Sequence, residues 1–145
     1  MKHFFTLTIC LLIYCSASFA QKDIFGKWKT VDDNTGETKS VVEIFEKGGK
    51  AYGKIVKLNR RPDQNQNPIC DGCEGEKKNK PVLGMTIIED MEYFPADDEW
   101  KNGTIVDPSD GDVYSLKLWR EGEKLKVRGY IAFFFRTQTW LPYED

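Results

Sequence analysis

Beyond the first twenty residues, apolar and polar positions alternate in short runs separated by turn-forming residues. In "VYSLKLW" Tyr114, Leu116 and Leu118 fall on one face and Ser115 and Lys117 on the other. "KLKVRGYIAF" sets Leu125, Val127 and Ile131 against Lys126, Arg128 and Tyr130. A period of two is the signature of half-buried strands. "FGKWKTVDD", "SVVEIFE", "AYGKIVKL", "MTIIEDMEYF", "EWKNGTIVD" and "FRTQTWL" read the same way. "KGGK" suits a tight hairpin, whose turn needs positive φ. In "VDPSDGDVY" Asp107 caps a turn, Pro108 presets φ and Gly111 ends the loop. No stretch carries a helical period long enough for a structural helix, although "KDIFG" could make one turn. The long connection, Asn59 to Pro81, is polar.

Seven to nine strands joined mostly by hairpins predict an all-β fold, an antiparallel meander. Closing it into a barrel of about eight strands removes its open edges, whereas a sandwich would need several long crossovers. Such a barrel is either filled by side chains or hollow enough for one small ligand. Gly53 and Gly129, inside strands, either leave room in the interior or mark bends.

Residues 1–20, "MKHFFTLTICLLIYCSASFA", depart from this pattern. Lys2 precedes an apolar run, Phe4 to Tyr14, and Ser18 and Ala20 take the small-residue positions of a cleavage site. This predicts a secretory signal peptide, cut after Ala20, with an apolar run too short to span a membrane. Bulky Tyr14 argues against a lipid anchor at Cys15. Residues 21–145 then form one domain, exported to the periplasm or secreted.

Cleavage alters the composition. Of 4 cysteines only Cys70 and Cys73 remain, and the 1 histidine, His3, is lost. The 21 basic residues less Lys2 leave 20, against 23 acidic. Without histidine there is no Ser-His or Cys-His nucleophile and no histidine-held metal. A mildly acidic chain offers no basic footprint for nucleic acid. No cofactor or metal is expected.

Gly26-Lys27-Trp28, at the start of the first strand, resembles the G-x-W signature of lipocalins. The resemblance implies that Trp28 plugs the closed end of the barrel beneath a basic residue of the last strand, here Arg136, in a cation–π contact. Gly26, Trp28, Arg136 and Trp140 thereby form a structural signature. "GKWKT", "GETKSVVEIFE", "CDGCEGEKKNKPVLGM", "WKNGTIVDPSDGDVYSLKL", "LKVRGYI" and "RTQTW" together resemble an exported bacterial family, domain of unknown function number 2147, with lipocalin-like barrels. The resemblance runs from Asp23 to Trp140. It implies a fold and an address, not an activity. One departure is Phe133-Phe134-Phe135, where glycine and aliphatic residues are expected, so no ligand preference is carried over.

Cys70 and Cys73 form a C-x-x-C pair. A redox couple needs its first cysteine at a helix N-terminus, for which "CDGCEGEKK" is a poor start. A zinc site lacks further cysteine or histidine ligands. A disulfide in an oxidising compartment is the leading reading, ahead of those two. The carboxylates Asp97, Asp98, Glu99, Asp107, Asp110 and Asp112 sit at turns, where acids cap backbone, so a glycosidase-type pair is disfavoured.

The aromatics carry more weight. Tyr52, Tyr114, Trp119, Phe133, Phe134 and Phe135 are the candidate ligand-binding residues. The functional expectation is non-enzymatic binding of a small apolar or amphipathic molecule, with the Asn59–Pro81 loop at the rim. The alternative is a filled barrel acting as a surface interaction module, its aromatic tip touching a protein or cell-envelope partner.

Overall fold

The computed structural model describes residues 23–145. The expected signal peptide therefore lies outside the described residues. Eight strands follow one another as β1 (Gly26–Val31), β2 (Thr38–Lys47), β3 (Lys50–Leu58), β4 (Thr86–Phe94), β5 (Glu99–Val106), β6 (Val113–Glu121), β7 (Lys124–Ile131) and β8 (Phe134–Pro142). Each pairs antiparallel with its sequence neighbour, and β1 meets β8 to close the barrel. A single 3₁₀ turn, Gly75–Lys77, lies in the β3–β4 connection. The helical turn expected at "KDIFG" does not form over its described residues. Ile24 is a bend instead, where its carbonyl accepts the Trp28 indole N–H at 2.9 Å.

Hairpin connectivity gives the barrel two different ends. The β2–β3, β4–β5 and β6–β7 turns gather at one end, together with the segment leading into β1. The β1–β2, β3–β4, β5–β6 and β7–β8 loops gather at the other. Strand alternation sends Val42, Ile44, Ala51, Ile55, Met91, Leu116, Leu118, Leu125, Val127 and Trp140 into one buried cluster. Gly53 belongs to this packing and leaves no space: a Cβ there would lie 3.1 Å from Ile88 and 3.2 Å from Val42.

The closing seam is short. β1 and β8 pair only at Trp28↔Pro142 and Lys29↔Leu141, beside the closed end. Further up, the β1–β2 loop is bridged to β8 at the rim by an ion pair, Arg136 Nη2 to Asp33 Oδ2 at 2.6 Å. Register explains why Arg136 does not cover Trp28 as expected. Pro142 is the residue opposite Trp28, and Arg136 lies six positions earlier, roughly 20 Å along the strand.

Candidate functional site: a one-ended cavity

Trp28 plugs the closed end and is only 2% exposed. The cation above it is Arg120 of β6, whose guanidinium carbon stands 4.8 Å from the ring centroid. The same guanidinium donates to the carbonyls of Asp23, at 2.9 Å, and Gly122, at 3.2 Å and 3.3 Å. It thus ties the incoming chain, the plug and the β6–β7 turn together. Phe25 meets Trp100 edge-on at 5.5 Å, and Tyr93 packs on Trp100 at 5.3 Å, completing an apolar base.

Above the plug the side chains no longer meet. A cavity of about 810 Å³ occupies the other half of the barrel and opens at the mouth. Its apolar wall includes Ile55, Ile87, Ile105, Val127 and Trp140. Gly129 also lines it. A Cβ at Gly129 would make only an ordinary 3.4 Å contact with Tyr114, so this glycine does leave room inside.

Polar groups line the same space higher up. Thr30 and Ser40 share a hydrogen bond of 2.8 Å between their hydroxyls. Gln138 Oε1 accepts the Trp140 indole N–H at 3.0 Å, which leaves the amide nitrogen of Gln138 as a further donor. The Tyr114 hydroxyl has no hydrogen-bond partner among the described residues. Burial, followed by the nearby carboxylates of Asp110, Asp112 and Asp107, raises its pKa. Tyr114 therefore stays protonated and able to donate.

The rim is built by loops whose acids are occupied with turn formation. Asp107 Oδ1 accepts from the Ser109 N–H at 2.9 Å and the Ser109 hydroxyl at 2.6 Å. Asp110 Oδ1 accepts the Asp112 N–H at 2.8 Å. At the β1–β2 loop, Asp32 takes the Lys39 ammonium at 2.9 Å and the N–H groups of Asn34 and Thr35. Those contacts, Lys39 foremost, hold its carboxyl well below the usual carboxylate range. From the β3–β4 connection, Asn59, Arg60, Gln64, Pro68 and Ile69 border the mouth, as expected of the long loop.

Cys70 and Cys73 form a disulfide and are both buried. The bridge braces the rim from outside the cavity. Between the cysteines, Gly72 comes so near the β5–β6 turn that a Cβ would fall 2.0 Å from the Asp110 carbonyl oxygen. Gly111 is similarly close to Gly72 from the other side. Only glycines allow the stapled loop to lie flat on that turn.

The six aromatic candidates separate. Tyr114 and Phe134 border the cavity, whereas Phe135 reaches its mouth from the outer face, with its ring against Tyr130 and Arg128. Tyr52 does not: it stands on the outer face, stacked on Phe45 and donating its hydroxyl to Asp90 at 2.8 Å. Trp119 is also outside, beneath the Arg128 guanidinium at 5.0 Å. Phe133 projects from the β7–β8 turn away from the cavity and is 99% exposed. Alternation already implied the position of Trp119, since Leu118 points inward. The inward polar set of Thr30, Ser40 and Gln138 was missed, although each shares strand parity with a buried tryptophan or valine.

Among the described residues, no group of three or more histidines, cysteines or acids is placed to hold a metal ion. No described helix is long and apolar enough to cross a membrane.

Comparison with known proteins agrees with this architecture. A solved structure described as "Protein HP1028 from the human pathogen Helicobacter pylori belongs to the lipocalin family" superposes with a TM-score of 0.70. It shares 19% sequence identity, and the match covers 85% of this chain and 84% of that one. At that identity the likeness is one of fold: this barrel is lipocalin-like. No curated protein matches the sequence. Residues 26–141 match the family model described as "Uncharacterized protein conserved in bacteria (DUF2147)", and the chain belongs to that family.

Proposed function

We propose that the protein is an exported carrier that holds one small amphipathic molecule inside its barrel. The observation that carries this reading is the one-ended cavity of about 810 Å³. That volume is within the range of small-molecule sites, and its layout is theirs too: mostly apolar walls with a few placed polar groups. The apolar part of a ligand would lie against Ile55, Ile87, Val127 and Trp140. Its polar end would face Tyr114, Gln138 and Arg136. Phe134 would flank its entry.

Binding rather than catalysis is supported by the use of the carboxylates. Asp97 pairs with Lys101, and Glu99 bridges Lys101 at 3.1 Å and Lys117 at 3.2 Å on the outer face. Asp107 and Asp110 cap their own turn. Export, with cleavage after Ala20 and delivery to the periplasm or beyond, is supported by the leader pattern and by a disulfide that needs an oxidising compartment.

The test is displacement of a hydrophobic dye, with native mass spectrometry of the purified protein. Saturable uptake of one dye molecule, displaced by long-chain amphiphiles, supports the carrier. Absence of any saturable uptake contradicts it.

A further inference from the structure

The β7–β8 hairpin ends in an apolar point. Ile131, Phe134 and Phe135 are 51%, 75% and 61% exposed, and Phe133 almost wholly so. These residues do not share one face. Phe134 pairs with Ile131 on the cavity side, Phe135 pairs with Tyr130 on the outer side, and Phe133 projects beyond both. A groove on a protein partner would cover one side of such a hairpin. An apolar tip exposed on every side fits a medium that surrounds it.

Charge narrows the choice of medium. No acid lies between Lys124 and Pro142, and the cations near the tip are Arg128 and Arg136; Lys124 and Lys126 sit toward the closed end, where Lys126 pairs with Glu121. Arg128 sits just behind the tip, its guanidinium 4.6 Å from the Phe135 ring and donating to the Thr137 hydroxyl at 2.7 Å. It has no ion-pair partner among the described residues. Arg136 lies behind Phe134 on the other face, paired with Asp33. Of the neighbouring acids, Asp107 and Asp110 are turned into the hydrogen bonds of the β5–β6 loop. Aromatic rings ahead of guanidinium groups match the depth profile of a bilayer surface, with rings among the upper chains and cations at the phosphates.

We propose that the Ile131–Phe135 tip is a membrane-docking wedge, which seats the barrel mouth-down on an anionic phospholipid surface. Phe134 lines the cavity mouth as well, so docking brings the opening against the lipid, and cargo can pass without crossing bulk water. That consequence rests on the carrier reading; the docking itself does not.

Flotation of the purified protein with vesicles of phosphatidylcholine, with and without phosphatidylglycerol, tests this. The protein is expected to float with the phosphatidylglycerol vesicles and to be released by high salt, which screens the cations. Phe133→Ser, at a position that touches neither core nor cavity, is expected to weaken the association about tenfold or more, since it removes the burial of one phenyl ring in the lipid. Arg128→Gln is expected to abolish the preference for phosphatidylglycerol. Failure of the wild type to float, or equal flotation by Phe133→Ser, overturns the proposal. Self-association that Phe133→Ser abolishes, without vesicle binding, also overturns it in favour of a second copy as the partner. Dye uptake from solution by Phe133→Ser separates the two readings. A barrel that takes no dye but still floats loses the carrier and keeps the wedge.

Discussion

The two ends of this barrel are made from the same eight strands and behave as different materials. At the closed end, short turns bring apolar side chains into contact, and one guanidinium ties three chain segments over a buried indole. At the mouth, the loops lengthen, polar side chains enter the wall and large apolar residues face outward. The difference shows where sequence is committed to stability and where it is left for something else to complete. It also makes the ends separable by experiment.

The largest effect is expected at the plug. Trp28→Ala removes a fully buried ring that nothing else can replace, at about 3–5 kcal/mol, measurable by denaturant unfolding. An equal loss from Phe134→Ala at the rim would erase the contrast between the two ends. Next comes the staple. The Cys70→Ser, Cys73→Ser pair releases a small ring and is expected to cost about 2 kcal/mol, with proteolytic nicking appearing first between Asn59 and Pro81. Nicking elsewhere would show that the bridge does not brace the rim.

The two arginines at opposite ends of the barrel are expected to differ in the same sense. Arg120→Ala forfeits a cation–π contact and charged hydrogen bonds to carbonyls, about 1–2 kcal/mol. Arg136→Ala breaks an exposed pair and is expected to cost about 0–1 kcal/mol. Melting temperatures that reverse this order would return Arg136 to the structural role that sequence assigned it.

The smallest effect is the acid response of the rim. The carboxyl of Asp32 titrates below its unfolded value of about 3.9, so its contribution to folding is present above that pH. It is lost as pH falls toward the folded value. Asp32→Asn is therefore expected to flatten the acid limb of stability below about pH 4. An unchanged limb would mean that Lys39 and the loop N–H groups do not hold the carboxylate in solution.

Much of this architecture was legible in the sequence. The period-two runs, the "KGGK" turn and the Asp107–Gly111 loop specified a meander, and eight strands of that length close readily. The face carrying Phe134, Arg136, Gln138 and Trp140 could be read from alternation alone. The assignment of Arg136 to Trp28 failed because it considered only which strand the arginine occupied, not how far along it lay. Hairpin parity points instead to Arg120: β6 ends at the same end of the barrel where β1 begins. Tyr52 failed for a related reason. Ala51, Gly53 and Ile55 take the inward positions of β3, and small residues there gave little hint of it. The cavity itself could not be read, because hollowness depends on how eight inward faces meet across the barrel, a quantity no single strand carries.

In the carrier reading, the upper half of the barrel is a container. Gly129→Leu tests it most directly, because a leucine there extends into the cavity while its Cβ makes an ordinary contact. Dye titration of this variant beside the wild type, with melting curves to verify folding, is expected to show a loss of uptake of about tenfold or more at near-native stability. Unaltered uptake by a folded Gly129→Leu barrel would place the ligand elsewhere and contradict the account.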